Sequence, residues 1–333
     1  MLDLRATLPP VVKPHLPHRG AAQAVTTPLY RIQALPGIGD YTAVSAEEIN
    51  HQGWVVGVAY INADEWAVYL YADGQSRLLP GGRFAYGHGL NDRGDVVGTR
   101  DGGACWWPQG GERQMLAGMR RAASINNFGQ VAGGAFFGGE HERAALFSDG
   151  ELIDLGTLGG ATSVATGIND AGQVCGYSAL ASGEVHAFLW QPVLGLQDLG
   201  TLGGPDSRAT AINDTGAVLG RSDDTDGDAA AFIRTGDGLV ALPKVGEMDL
   251  SAFSLNRHGE AVGQLTGTNG KWVASLTRGG KTRKLMNLLD ASATEWKSLS
   301  VALGINDAGL IAGVGQRQQE RTERAFIATP LPR

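Results

Sequence analysis

Between Leu152 and Trp190 the apolar positions fall into four short runs rather than one helical stripe. Leu152-Ile-Asp-Leu-Gly-Thr-Leu-Gly-Gly160 is followed by Ser163-Val-Ala-Thr-Gly-Ile-Asn169, Gln173-Val-Cys-Gly-Tyr177 and His186-Ala-Phe-Leu-Trp190. Each run is rich in β-branched or aromatic residues and bounded by Gly, Asp, Asn or Ser, which is the signature of strands joined by turns. The pattern predicts a four-stranded antiparallel meander.

The same unit recurs. An aliphatic residue, Asn, two variable positions and Gly appear together seven times, at Asn50, Asn91, Asn126, Asn169, Asn213, Asn256 and Asn306. Their spacings of 41, 35, 43, 44, 43 and 50 residues lie in the range of propeller blades and solenoid coils. The Asn side chain can close a turn between first and second strands, and the Gly can take positive φ. A second recurring glycine (Gly57, Gly98, Gly133, Gly176, Gly220, Gly263, Gly313) falls inside the second strand, where it weakens pairing unless a bulge or close backbone approach requires it. Asp73-Gly74, Asp149-Gly150 and Asp237-Gly238 read as two-residue hairpins between third and fourth strands.

The ends complement each other. The last unit has three strands and no fourth, while Tyr30-Arg-Ile-Gln-Ala-Leu-Pro-Gly37 is a fourth strand without a blade. Joining them closes a ring without an exposed terminal sheet, whereas an open solenoid needs capping repeats. The expected fold is all-β: a seven-bladed β-propeller of four-stranded antiparallel blades over residues 28–333, closed by the N-terminal strand in the last blade. A parallel β-helix fits less well, because its coils need no tight hairpin in each repeat. Residues 1–27, with His15, His18 and four prolines, read as a flexible tail.

Composition agrees, with 50 Gly and 18% charged residues among 333. The net charge of −7, without a basic block, argues against nucleic acid as a partner. No apolar run suits a membrane span or signal-peptide core, so the chain reads at face value as soluble and cytoplasmic, and as a monomer. Cys105 and Cys175 occupy strand positions filled elsewhere by Val, Ala, Leu or Phe, and are expected as buried free thiols.

The segments Asp154-Leu-Gly-Thr-Leu-Gly-Gly160, Gly167-Ile-Asn-Asp-Ala-Gly172 and His186-Ala187-Phe188 resemble the HAF-repeat family, named for its His-Ala-Phe tripeptide. The resemblance covers roughly residues 29–329 and thins to Trp66-Ala67-Val68, Arg143-Ala144-Ala145 and Arg324-Ala325-Phe326 elsewhere. It implies a bacterial, extracellular, propeller-like protein and carries no catalytic residues. Location stays open between that implication and the missing export signal.

Chemistry is sought where repeats differ. Five residues before each Asn stand Ser45, Tyr86, Arg121, Val164, Arg208, Ser251 and Val301, and three before stand Glu47, His88, Ala123, Thr166, Thr210, Phe253 and Leu303. Glu47, Arg83, Tyr86, His88, Arg121 and Arg208 are therefore candidates for a site on the face bearing the blade links. Such a set can bind an anion or run acid–base chemistry, or form solvated rim and inter-blade ion pairs. Phe136, Phe137 and His141 offer a contact surface, or one core and one exposed Phe. Asp224, Asp226 and Asp228 have calcium-like spacing but lack the distal bidentate Glu of an EF-hand; no other cofactor is expected. The favoured function is a non-catalytic binding propeller presenting its rim to a protein, peptide or glycan. The alternative is an enzyme or small-anion receptor at the channel mouth. An approach of Glu47 to His88 would favour the second, and a broad aromatic patch the first.

Overall fold

A computed structural model describes residues 29–332 except Thr42, Ala63 and Asp237. The expected tail at 1–27 lies outside the described residues, as does Asp237 of one expected hairpin. Seven antiparallel sheets are arranged as blades of a β-propeller. In blade 4, for example, Gly159–Ile168 is innermost, followed by Val174–Leu180, Val185–Gln191 and the outer Gly195–Asp198. Blade 1 departs from this plan, because its inner strand is split into Ala43–Val44 and Glu48–Ile49.

Tyr30–Ala34 pairs antiparallel with Glu323–Pro330, placing Ile32 opposite Ala328 and Ala34 opposite Phe326. The ring is thus closed as the chain ends predicted. The long spacing before Asn306 holds two 3-10 turns, Leu285–Leu288 and Ala291–Glu295. They cover the closing strand's other edge: Leu29 N–H donates to Leu288 O, Asp290 N–H to Tyr30 O, and Ile32 N–H to Ser292 Oγ at 2.9 Å.

Among the described residues no single central core forms. Seven apolar clusters each join two successive blades, including blades 7 and 1 through Ile327, Ala312, Val55 and Tyr69. Each blade therefore buries its faces only against its neighbours. The small residue that begins the third-strand core in most blades, such as Ala67, Ala104, Ala144 and Ala187, is fully buried at that contact, blade 6 carrying part-buried Val273 instead. Cys105 and Cys175 are buried and free, and burial raises both thiols, Cys175 to about 12.

Six of the seven second-strand glycines have one shared cause. In six blades the inner strand skips one residue in its pairing, as between Gly87 and Gly89 or Ala165 and Gly167. The skipped residues, His88, Ala123, Thr166, Thr210, Phe253 and Leu303, are those three before each Asn. This bulge turns the carbonyl two residues earlier onto the second strand. A Cβ on Gly176 would collide with Val164 O, and one on Gly133 with Arg121 O.

Candidate functional site

Each blade is an up-and-down meander, so the first-to-second strand hairpins share one face and the blade links share the other. At the hairpin face the seven asparagines form a closed circuit. The Nδ2 of Asn50 donates to Asn91 O, and the same bond passes through Asn126, Asn169, Asn213, Asn256 and Asn306 back to Asn50 O, at 2.8–3.2 Å. Each Oδ1 accepts the N–H four residues on, as from Gln173 to Asn169. All seven are buried. The turn role was legible in the sequence, but the circuit was not, because its partners lie a whole blade apart.

The next residue of each turn builds a second, outer ring. Asp92, Asn127, Asp170, Asp214 and Asp307 accept backbone N–H bonds from the preceding blade. His51 bridges blades 7 and 2, with Nδ1 2.8 Å from Asp92 and Nε2 2.7 Å from Asp307. Burial works to lower its pKa, but the two carboxylates outweigh it and the net shift is upward. Arg257 pairs with Asp307 at 2.7 Å.

These rings bound a central channel of about 210 Å³. Its wall carries small residues two before each Asn, among them Gly89, Ser124, Gly167, Ala211 and Ser254, whereas blade 1 supplies Glu48. Burial pushes the Glu48 carboxyl up to about 7; the Ile49 N–H at 3.0 Å opposes this and the neighbouring Glu47 reinforces it. Glu48 was not singled out from the sequence. The signal available was an acid in a column of small residues.

The expected candidates are elsewhere. Glu47, Arg83, Tyr86, His88 and Arg121 sit at the blade-link ends of blades 1–3, outside the channel lining. Among the described residues no hydrogen bond joins Glu47 to His88. Glu47 Oε1 accepts from Ser45 Oγ at 2.7 Å, and burial, partly offset by that bond, raises its pKa. Burial and then the charge of Arg121 lower the His88 pKa. Arg83 pairs with Glu65, while Arg121 stands 3.5 Å from Glu142. Arg208 lies apart, 4.7 Å over the Tyr177 ring.

What these ends do form is an aromatic shelf. Trp66 meets Phe84 edge-on at 5.5 Å and Tyr86 at 5.4 Å, and Tyr86 stacks on His88 at 6.5 Å. Phe84 and Tyr86 are each 41% exposed. Phe84 holds φ +58°, a costly conformation for a bulky side chain, and its N–H donates to Trp66 O. Trp66 and Phe84 escaped the sequence reading, although Trp66 stands where the HAF pattern has His. In blade 3, Arg120 lies 5.2 Å over the exposed Phe136, while Arg143 covers Phe137, which packs on the core. His141 is exposed in the adjoining hairpin.

The HAF-like motifs have a structural explanation. His186 pairs with Asp198 at 2.9 Å, as Arg143 pairs with Asp154, tying third to fourth strand. Ser163 donates to Gly156 O and accepts from Ala144 N–H, and Ser207 does the same with Gly200 and Ala187, tying blade to blade. The acidic run in blade 5 is a hairpin in which Asp224 Oδ1 accepts the N–H groups of Asp226 and Asp228. Among the described residues no group of three or more His, Cys, Asp or Glu is placed to hold a metal, and no helix is long and apolar enough to cross a membrane.

No family model and no curated protein matches the chain. Among solved structures it is similar to the β-propeller domain of the Trilobed protease from Pyrococcus furiosus, at 9% identity and TM-score 0.60 over 88% of this chain and 94% of that one. It is similar to YCF48 bound to D1 peptide, at 12% identity and TM-score 0.53 over 93% and 97%. It also matches a Mycobacterium tuberculosis puromycin-hydrolyzing peptidase at 12% identity and TM-score 0.58, covering 91% of this chain and 53% of that one, about half its length. At these identities the likeness establishes the propeller fold alone.

Proposed function

We propose that this chain is a non-catalytic binding propeller that presents its blade-link face, in blades 1–3, to a protein, peptide or glycan. The observation that carries the reading is the shelf of Trp66, Phe84, Tyr86 and His88, an aromatic surface set by two blade strands and the link between them. Exposed aromatics of this kind supply contact area at low entropic cost. The hairpin face is engaged instead in holding blades together. A reaction centre draws little support, because Glu47 is bonded to Ser45 rather than to His88. The solved YCF48 propeller with a bound peptide supports such a use of the fold, and the His186-Ala187-Phe188 segment supports membership among HAF-repeat proteins.

The test is binding of the purified chain to peptide and glycan arrays, compared with Tyr86→Ala and Phe84→Ser. Retention of one ligand class by the wild type, reduced at least tenfold in both variants with unchanged unfolding temperature, is the expected result. Ligands retained equally by all three proteins would place the binding surface elsewhere.

A further inference from the structure

The shelf carries donors without acceptors. Trp66 Nε1 is buried and has no hydrogen-bond partner, and neither Nε nor Nη2 of Arg121 has one. The 3.5 Å approach of Arg121 to Glu142 is too long for a good hydrogen bond. Arg120, in the same strand, makes no ion pair among the described residues and rests on Phe136. Of the other carboxylates nearby, Glu47 is engaged by Ser45 and Glu65 by Arg83. Buried polar groups ordinarily find partners, so Arg121, whose side chain is part-exposed and whose donors are not all matched, has capacity left for an acceptor arriving beside the exposed rings. In a chain of net charge −7, exposed Arg120 and part-exposed Arg121, held 3.5 Å from Glu142, set two guanidiniums in one strand beside these rings, where they attract an anionic partner.

Resting on the binding reading above, we infer that the blade 1–3 shelf docks an acidic peptide segment, with an aromatic or aliphatic side chain against Trp66, Phe84 and Tyr86 and a carboxylate on Arg121. Donor-only chemistry favours this over a neutral glycan, whose hydroxyls need acceptors as well as donors. The guanidinium supplies charge-assisted bonds in a planar fork. Arg120 adds longer-range attraction that salt screens.

The experiment uses three immobilised peptide sets of equal length, acidic–aromatic, basic–aromatic and uncharged aromatic, beside uronate and neutral glycans. The wild type is expected to retain the acidic–aromatic set, with affinity falling at least tenfold in Arg121→Gln and about tenfold between 50 and 500 mM salt. Arg208→Gln, a guanidinium on a distant blade, should bind as the wild type does, which separates lost contact from lost fold. Preference for basic or uncharged peptides, or for a glycan, with sensitivity to Tyr86→Ala but not to Arg121→Gln, overturns the acidic-peptide inference and leaves the binding shelf standing. No retention of any set, or retention unaffected by either substitution, overturns both.

Discussion

One asparagine per blade does work at two ranges. Its Oδ1 closes the local turn and its Nδ2 reaches the neighbouring blade's carbonyl, so a buried amide satisfies both of its ends. Asn169→Ala removes both bonds, strands the Gln173 N–H and leaves Asn213 O with the Gly216 N–H alone, which should cost roughly 1–3 kcal/mol. Asn169→Asp keeps the acceptor but sets a carboxylate against Asn213 O, and should be at least as damaging at neutral pH. Equilibrium denaturation of the two variants checks both; an Asp variant as stable as the wild type would refute the donor role. Gly176→Ala should also destabilise, by about 1–3 kcal/mol, because its Cβ meets the bulged carbonyl of Val164. At this scale the sequence disclosed which residues recur and the local turn they make. It concealed the partners across blades, since hydrogen bonds between residues 35–50 positions apart leave no local pattern.

The closing strand is the element on which the ring depends. Its pairing with Glu323–Pro330 was legible because a missing fourth strand at one end matched an orphan strand at the other. The second support, from the 3-10 turns before blade 7, was not, because Leu285–Leu288 and Ala291–Glu295 carry no repeat signal. Ile32 N–H faces Ser292 Oγ, so the alternate residue Gln33 faces the sheet partner. Gln33→Pro should therefore remove a ladder bond and cost on the order of 3 kcal/mol, whereas the exposed side chain itself contributes little. Limited proteolysis should then cut near residues 30–40 faster, with the unfolding midpoint lowered. An unaltered midpoint would mean that the apolar contacts of Tyr30 and Ile32 hold the ring without the ladder. The candidate site shows the same division: Glu47, Tyr86, His88 and Arg121 were legible as departures from repeat columns. Trp66 and Phe84 were not, because one lies in the third strand and the other in a blade link, outside the two inner-strand columns that carried the candidates.

For the whole wheel, closing seven blades brings the carboxyl of Glu48 into a channel-lining column that other blades fill with small residues, and gathers a carboxylate ring clasped by His51 at its mouth. Both groups make stability fall as pH rises. Glu48 has an ordinary value of 4.5 and about 7 in the folded chain. Below 4.5 it is neutral in both states and imposes no penalty. Between 4.5 and 7 the unfolded chain ionises it while the folded chain resists, so the folded state loses ground; above 7 the loss is complete. His51, raised above 6.5 by its carboxylates after burial is overcome, stabilises fully below that value and loses its contribution as pH climbs through the folded pKa. Asp307 acts oppositely: burial would raise it, but Arg257 N–H and His51 hold it below 3.8, so its contribution is lost only in stronger acid. From these three groups stability should thus peak near pH 4–5 and decline toward pH 8, while His88, lowered by burial and then by Arg121, works the other way up to 6.5. Glu48→Gln should flatten the decline between pH 4.5 and 7, gaining roughly 1–3 kcal/mol at pH 8 after allowance for solvent in the channel. His51→Gln should flatten only the portion above 6.5, and because its ring is half exposed the change should be smaller. Denaturation midpoints measured at half-unit pH intervals separate the two contributions. A Glu48→Gln profile parallel to that of the wild type would mean that the channel carboxyl ionises as freely in the folded chain as in the unfolded one.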